Sequence, residues 1–135
     1  MGYRSQVALV AGFKNKEQFD EVWAVYLMDT RVQAHNLADD WKQASSKGHP
    51  VLYFESGASK WYDGYEDVSG MEYLGELMQT FHEERGFPFV FHKTRIGEDT
   101  ADIEEEDTYE NDDDTDMMEI IYSSVAVECS VSVNF

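Results

Sequence analysis

Apolar and polar positions along the chain recur with two periods, and these mark out its elements. Between Tyr3 and Ala11 the odd positions read Tyr, Ser, Val, Leu, Ala, which predicts a strand ended by Gly12. Asn15 followed by Gln18 has the form of a capping box, and Phe19, Val22, Trp23 and Tyr26 then recur at helical spacing. A helix is therefore expected from Lys16 to Asp29. Ala34, Leu37, Ala38 and Trp41 repeat the pattern, so helix is expected to resume or simply continue to about Ala44. Residues 45–50 (SSKGHP) read as a loop, VLYFES as a short strand, and SGAS as a turn leading into KWYDGY. Met71, Leu74, Leu77, Met78 and Phe81 trace the apolar stripe of a helix over Val68–Arg85, closed by Gly86. FPFVFHKTRI follows as a strand apolar on both faces. Val125, Val127, Cys129, Val131, Val133 and Phe135 then alternate with smaller or polar residues, which predicts one half-buried final strand.

This order of elements predicts an α+β fold, a mainly antiparallel β-sheet with helices packed on one face. The 135 residues are expected to form a single domain, 1–135, with an acidic segment, 98–119, between the last two core strands. Cys129 is the sole cysteine, so no intrachain disulfide is available and a cytoplasmic setting is expected. No apolar run reaches the roughly 20 residues of a membrane span. MGYRSQ lacks a secretory leader's apolar stretch, and Gln6 stands where a myristoylation signal needs Ser or Thr.

Charge changes the picture more than composition does. Residues 1–97 hold 14 acids and all 10 basic side chains, residues 98–119 hold 13 acids and no base, and Glu128 completes the net charge of −18. The acidity therefore belongs to one segment. Its field opposes direct binding to nucleic acid or to an anionic membrane and favours a basic partner.

Three readings of that segment stand open. As a strand over residues 100–110, it would turn Ala101, Ile103 and Tyr109 to the core and the even-numbered acids to water, with Met117 and Met118 as further anchors. Same-face carboxylates would then sit about 6.6 Å apart, close to the roughly 7 Å between successive phosphates of one nucleic-acid strand. Arginines and lysines that neutralise phosphates would accept such a row. As a plain acidic run, it would be a solvated loop. As a metal loop, Asp112, Asp114 and Asp116 would fill positions 1, 3 and 5 of a calcium register. That register fails at its glycine, which is Met117, and at its last ligand, which is Ser123.

Catalytic chemistry is sparse, and neither an enzyme nor a cofactor is expected. His35, His49, His82 and His92 have no metal-ligand spacing with one another or with Cys129, and no phosphate loop or nucleophile elbow is present. A second surface is offered by Trp61, Asp63, Tyr65, Glu66 and Asp67, where aromatics interleave with acids as in protein-binding hot spots. The plain alternative is a strand–helix junction with Asp67 or Ser69 as the cap.

Three stretches, MGYRSQVALV, KWYDGYEDV and RIGEDTADIEEE, resemble small proteins encoded in bacteriophage genomes that open with Met-Gly-Tyr-Arg-Ser. The resemblance covers both ends and the middle of the chain and brings no established activity with it. It implies a turn feature at Arg95–Asp99 and an acidic strand at Asp102–Glu106, with Asn111–Asp116 as an elaboration. Small acidic phage proteins are often inhibitors of host enzymes that act on DNA, and many imitate it. By that analogy the chain is expected to be a DNA mimic blocking the basic groove of a topoisomerase or gyrase, a restriction or CRISPR nuclease, or RNA polymerase. The array would comprise Glu98, Asp99, Asp102, Glu104, Glu105, Glu106, Asp107, Glu110, Asp112, Asp113, Asp114 and Asp116. A homodimer would set two arrays about a twofold axis. The alternative is a phage accessory protein that binds a host protein through the aromatic surface around Trp61 and Tyr65.

Overall fold

The computed structural model describes residues 5–59, 65–97, 103–110, 117, 125–127 and 131–133. Its centre is β1, Ser5–Phe13, whose near-continuous apolar run is buried on both faces. β1 pairs antiparallel with β3, His49–Ser59, on one side and with β4, Phe89–Ile96, on the other. β2, Lys42–Ser46, and β5, Ile103–Glu110, complete an antiparallel sheet in the order β2-β3-β1-β4-β5. Helices lie on one face of it, so the α+β architecture expected from the sequence is the one observed.

The helical layer begins with α1, Lys16–Tyr26, where Asn15 caps the first turn by accepting a 2.9 Å hydrogen bond from the Gln18 amide. Phe19, Val22 and Tyr26 point from it into the core, where Phe19 meets Phe13 edge-on at 5.1 Å. The helix does not run on unbroken; helical structure resumes after it but stops at Asp40, short of the expected Ala44. Asp29 instead caps a new short helix, α2, Thr30–Ala34, and Asn36 in the left-handed region (φ 52°) ends it ahead of a 3-10 turn at Leu37–Asp40. Lys42–Ser46 is then a strand. Lys47 and Gly48, with φ of 49° and 82°, form the two-residue turn that suits a twisted hairpin and set Ser46 opposite His49. Trp41 is buried as expected, though through another route: its indole N–H donates to the Tyr26 hydroxyl (3.0 Å), which donates to the Gly70 carbonyl (2.9 Å).

α3, Glu66–Arg85, buries Val68, Met71, Leu74, Leu77 and Met78, and Gly86 (φ 72°) ends it in the left-handed conformation. Two glycines let it approach closely. A Cβ on Gly70 would fall 2.5 Å from Leu37 Cδ1, and one on Gly75 would fall 2.8 Å from the Phe91 ring. SGAS is not a turn: β3 runs on to Ser59, opposite Ser5.

A smaller cluster of Val10, Val51, Val90 and Met117 occupies the other sheet face. The final alternating run is two short strands, β6 (Val125–Val127) and β7 (Val131–Val133), paired antiparallel, rather than one. β7 approaches β1, β3 and β4 together. Because those three strands are neighbours and helices fill one face, β7 lies across the opposite face. Among the described residues no helix is long and apolar enough to cross a membrane.

Candidate functional site

β5 carries the acidic run as an edge strand, and its register on β4 decides where each carboxylate points. Arg95 stands opposite Glu104, Thr94 opposite Glu105, Lys93 opposite Glu106 and His92 opposite Asp107. Side chains alternate between faces along a strand, so Glu104 and Glu106 share the helix-covered face with Lys93 and Arg95. Glu105 and Asp107 share the other face with His92 and Thr94. Ile103 pairs with Ile96 and Tyr109 with Val90 along the strand register. Glu104 and Glu106 thus lie on the helix-covered side of the sheet, where Glu104 is partly buried and Glu106 stays exposed.

One of them is already occupied. The Lys93 ammonium donates to Glu72 of α3 (2.7 Å) and to Glu104 (2.8 Å), and Glu104 also accepts from Arg95 Nε (3.3 Å), whose Nη1 donates to Ser5 (3.2 Å). Lys93 is nearly buried, with a side-chain exposure of 9%. Burial alone would lower its pKa; the bonds to Glu104 and Glu72 outweigh that and raise it. The Lys93 bond, with Arg95 adding to it, holds Glu104 below the usual glutamate range. Glu104 is thus an internal partner, whereas Glu105, Glu106 and Asp107 are exposed.

On the second face, buried His92 lies between the Asp107 carboxylate at Nδ1 and the Thr94 hydroxyl at Nε2. Acid, imidazole and hydroxyl in that order have the make-up of an activated nucleophile. Thr94 is fully buried, however, so the trio satisfies polar groups inside the fold and offers no hydroxyl to a substrate.

Between α3 and the β4–β5 pair runs a groove of about 370 Å³ with Phe91 as floor and Glu76 and Glu106 on its walls. Gly75 makes room for the Phe91 ring there.

The other expected site residues divide as follows. Glu98, Asp99, Asp102, Asp112, Asp113, Asp114 and Asp116 lie outside the described residues, as do Trp61, Asp63, Met118 and Cys129; Glu110 is the last residue of β5. Arg95 and Ile96 end β4 rather than open a turn. Met117 is buried, so the acidic segment is anchored at a second point beyond β5. Tyr65 occupies the N-cap position of α3 with half its surface exposed, and neither Asp67 nor Ser69 caps that helix. Asp67 instead accepts from the Val68 amide within the first turn (2.9 Å), and Glu66 meets His35 at 3.3 Å. Both acids suit the positive end of the helix. Among the described residues no group of three or more His, Cys, Asp or Glu side chains is arranged to hold a metal ion.

Sequence reasoning overlooked Lys93 and Arg95. They are the only basic residues after Arg85, and their two-residue spacing inside a strand puts them on one face beside the acidic strand that follows. That was a readable signal for an internal ion-pair cluster. No protein-family model, curated protein or solved structure matches this chain.

Proposed function

We propose that the chain is a phage-type, cytoplasmic inhibitor that imitates nucleic acid and occupies the basic groove of a host enzyme acting on DNA. The observation that carries this reading is the run of exposed acids Glu105, Glu106 and Asp107 on a hydrogen-bonded strand, Asp107 with one carboxylate oxygen engaged by His92. A strand holds such groups at a fixed pitch, about 6.6 Å between same-face neighbours, so a basic surface meets them without first having to order a loop. Glu104 drops out of the array because Lys93 and Arg95 consume it. The remaining carboxylates, with those expected at residues 98–102 and 110–116, form the binding surface.

The test is capture from a nuclease-treated bacterial lysate, comparing the native chain with Glu105→Gln/Glu106→Gln/Asp107→Asn. The native chain should hold one DNA-acting enzyme, duplex DNA should compete, and retention should fall steeply between about 50 and about 500 mM salt, where screening shortens the range of charge interactions. Equal retention by the two chains, or insensitivity to salt, would reject the reading. The half-exposed Tyr65 favours a second reading, an interface around Trp61 and Tyr65. In that case Trp61→Ala abolishes capture and the β5 variant does not.

A further inference from the structure

The groove between α3 and β5 combines three features that none of its residues has alone. Its floor is aromatic: Phe91 lines it, with its ring packed so closely on Gly75 that a Cβ there would fall 2.8 Å from it. Its volume of about 370 Å³ is near the small end of the roughly 300–1,000 Å³ of ligand pockets, which suits one long side chain better than a cofactor. Its charge is unbalanced. At one end Lys93 and Arg95 face Glu72 and Glu104, two cations against two anions, and cancel. Glu76 and Glu106 remain on the walls, and among the described residues neither forms an ion pair.

We propose that this groove anchors one arginine of a protein partner, its guanidinium lying against Phe91 between the carboxylates of Glu76 and Glu106. The assignment deepens the reading of β5 as a surface for a basic partner and rests on it. A guanidinium is planar, weakly hydrated and carries five donors in a fork, so it can stack on an aromatic floor and bond to both walls together. An ammonium is a compact, strongly hydrated point charge and would give up more water for fewer contacts on the apolar floor. A partner that grips phosphates presents many such arginines, and one long enough to enter the groove would convert a diffuse attraction into a fixed register.

The probe is a blocked tripeptide with a central arginine, titrated against the isotope-labelled full chain and followed by amide shifts. Its lysine and citrulline counterparts and free L-arginine serve as comparisons. Saturating shifts should concentrate at Gly75, Gln79, Phe91 and Thr108. Lysine should bind about threefold more weakly, and citrulline, which lacks the charge, about tenfold or more. Glu76→Gln and Glu106→Gln should each weaken the arginine peptide about fivefold or more, whereas Glu105→Gln, on the opposite sheet face, should not. All three positions are on the surface or at its edge, and circular dichroism checks that the variants fold. Equal binding of citrulline, an equal effect of Glu105→Gln, or free arginine binding as tightly as the peptide would each overturn the proposal. So would unaltered lysate capture by Glu76→Gln/Glu106→Gln while Glu105→Gln/Asp107→Asn loses the partner; the mimic reading would survive that result and the groove would not.

Discussion

Replacing Lys93 by methionine tests the structural centre of the acidic edge. The ammonium is nearly dry, with 9% of its side chain exposed, whereas Glu72 and Glu104 retain 29% and 44%. Removing one partner of a fully buried pair costs about 3–5 kcal/mol because a charge is left without compensation. Here the abandoned carboxylates can rehydrate, and Glu104 keeps Arg95 at 3.3 Å. The expected loss is therefore about 1–2 kcal/mol, between the buried and exposed limits. Glu104→Gln should cost less, under about 1 kcal/mol, since Lys93 keeps Glu72 and an amide oxygen still accepts a hydrogen bond. The double variant should lose about 0.5–1 kcal/mol less than the sum of the singles, the signature of direct contact. Urea unfolding followed by tryptophan fluorescence, with Trp41 buried near the core, reads these values from midpoint shifts at constant slope. Additive losses, or a Lys93→Met chain as stable as the parent, would show that the cluster contributes nothing and that Glu104 is free for a partner after all.

Two further outcomes follow from the same packing. Glu104 titrates below its ordinary value of 4.5 when folded, so its contribution is complete above that value and is lost as pH falls through the lower, folded one. Lys93, raised above 10.5, contributes at all pH values below that and loses its share only in strong base. As pH falls below the ordinary glutamate value of 4.5, the urea midpoint should thus fall more steeply for the parent than for Glu104→Gln, and parallel curves would refute the assignment. Gly70→Ala should destabilise by about 1–3 kcal/mol despite a helix-propensity gain of about 1 kcal/mol, because the new methyl would meet Leu37 at 2.5 Å and Arg31 Cβ at 3.2 Å. A rise in the thermal midpoint would mean that Leu37 yields freely.

The elements legible in the sequence were those whose period was long and whose burial was strong. α3 shows its stripe over five positions, and β1 and β4 carry apolar residues on both faces because helices cover one side of the sheet and Met117 and β7 the other. β2 was misread because KQASS is a short, mostly exposed edge strand with no apolar alternation, while Trp41 just before it happens to continue the helical spacing of Leu37 and Ala38. The stronger local signal was Lys47-Gly48, a pair able to hold two positive φ values between two strands. The alternation from Val125 onward runs through the break between β6 and β7, so periodicity alone could not divide it. In the candidate site the alternation of acids was readable but their facing was not. It depends on Arg95 lying opposite Glu104, a fact of register that a one-residue slip would invert. The groove lies where α3 packs on Phe91 through Gly75, a contact between residues distant in sequence that no local pattern reveals.

The edge position of β5 gives its acids a role even before a partner arrives. An edge strand offers unpaired backbone groups to any other strand, and among the described residues β5 is paired on one side only, by β4. A second copy docking there antiparallel would bring Glu104, Glu105, Glu106 and Asp107 opposite their own kind in most registers, and like charges directly opposite destabilise a strand pair. These charges therefore argue against a homodimer formed edge to edge through β5. The same charges have the opposite effect on a basic partner, since each contact that repels a copy of this chain attracts an arginine or lysine. On the proposed reading, specificity on this edge would arise from both directions at once, rejection of self and attraction of basic surfaces, with the Phe91 groove fixing where along the strand the attraction is strongest.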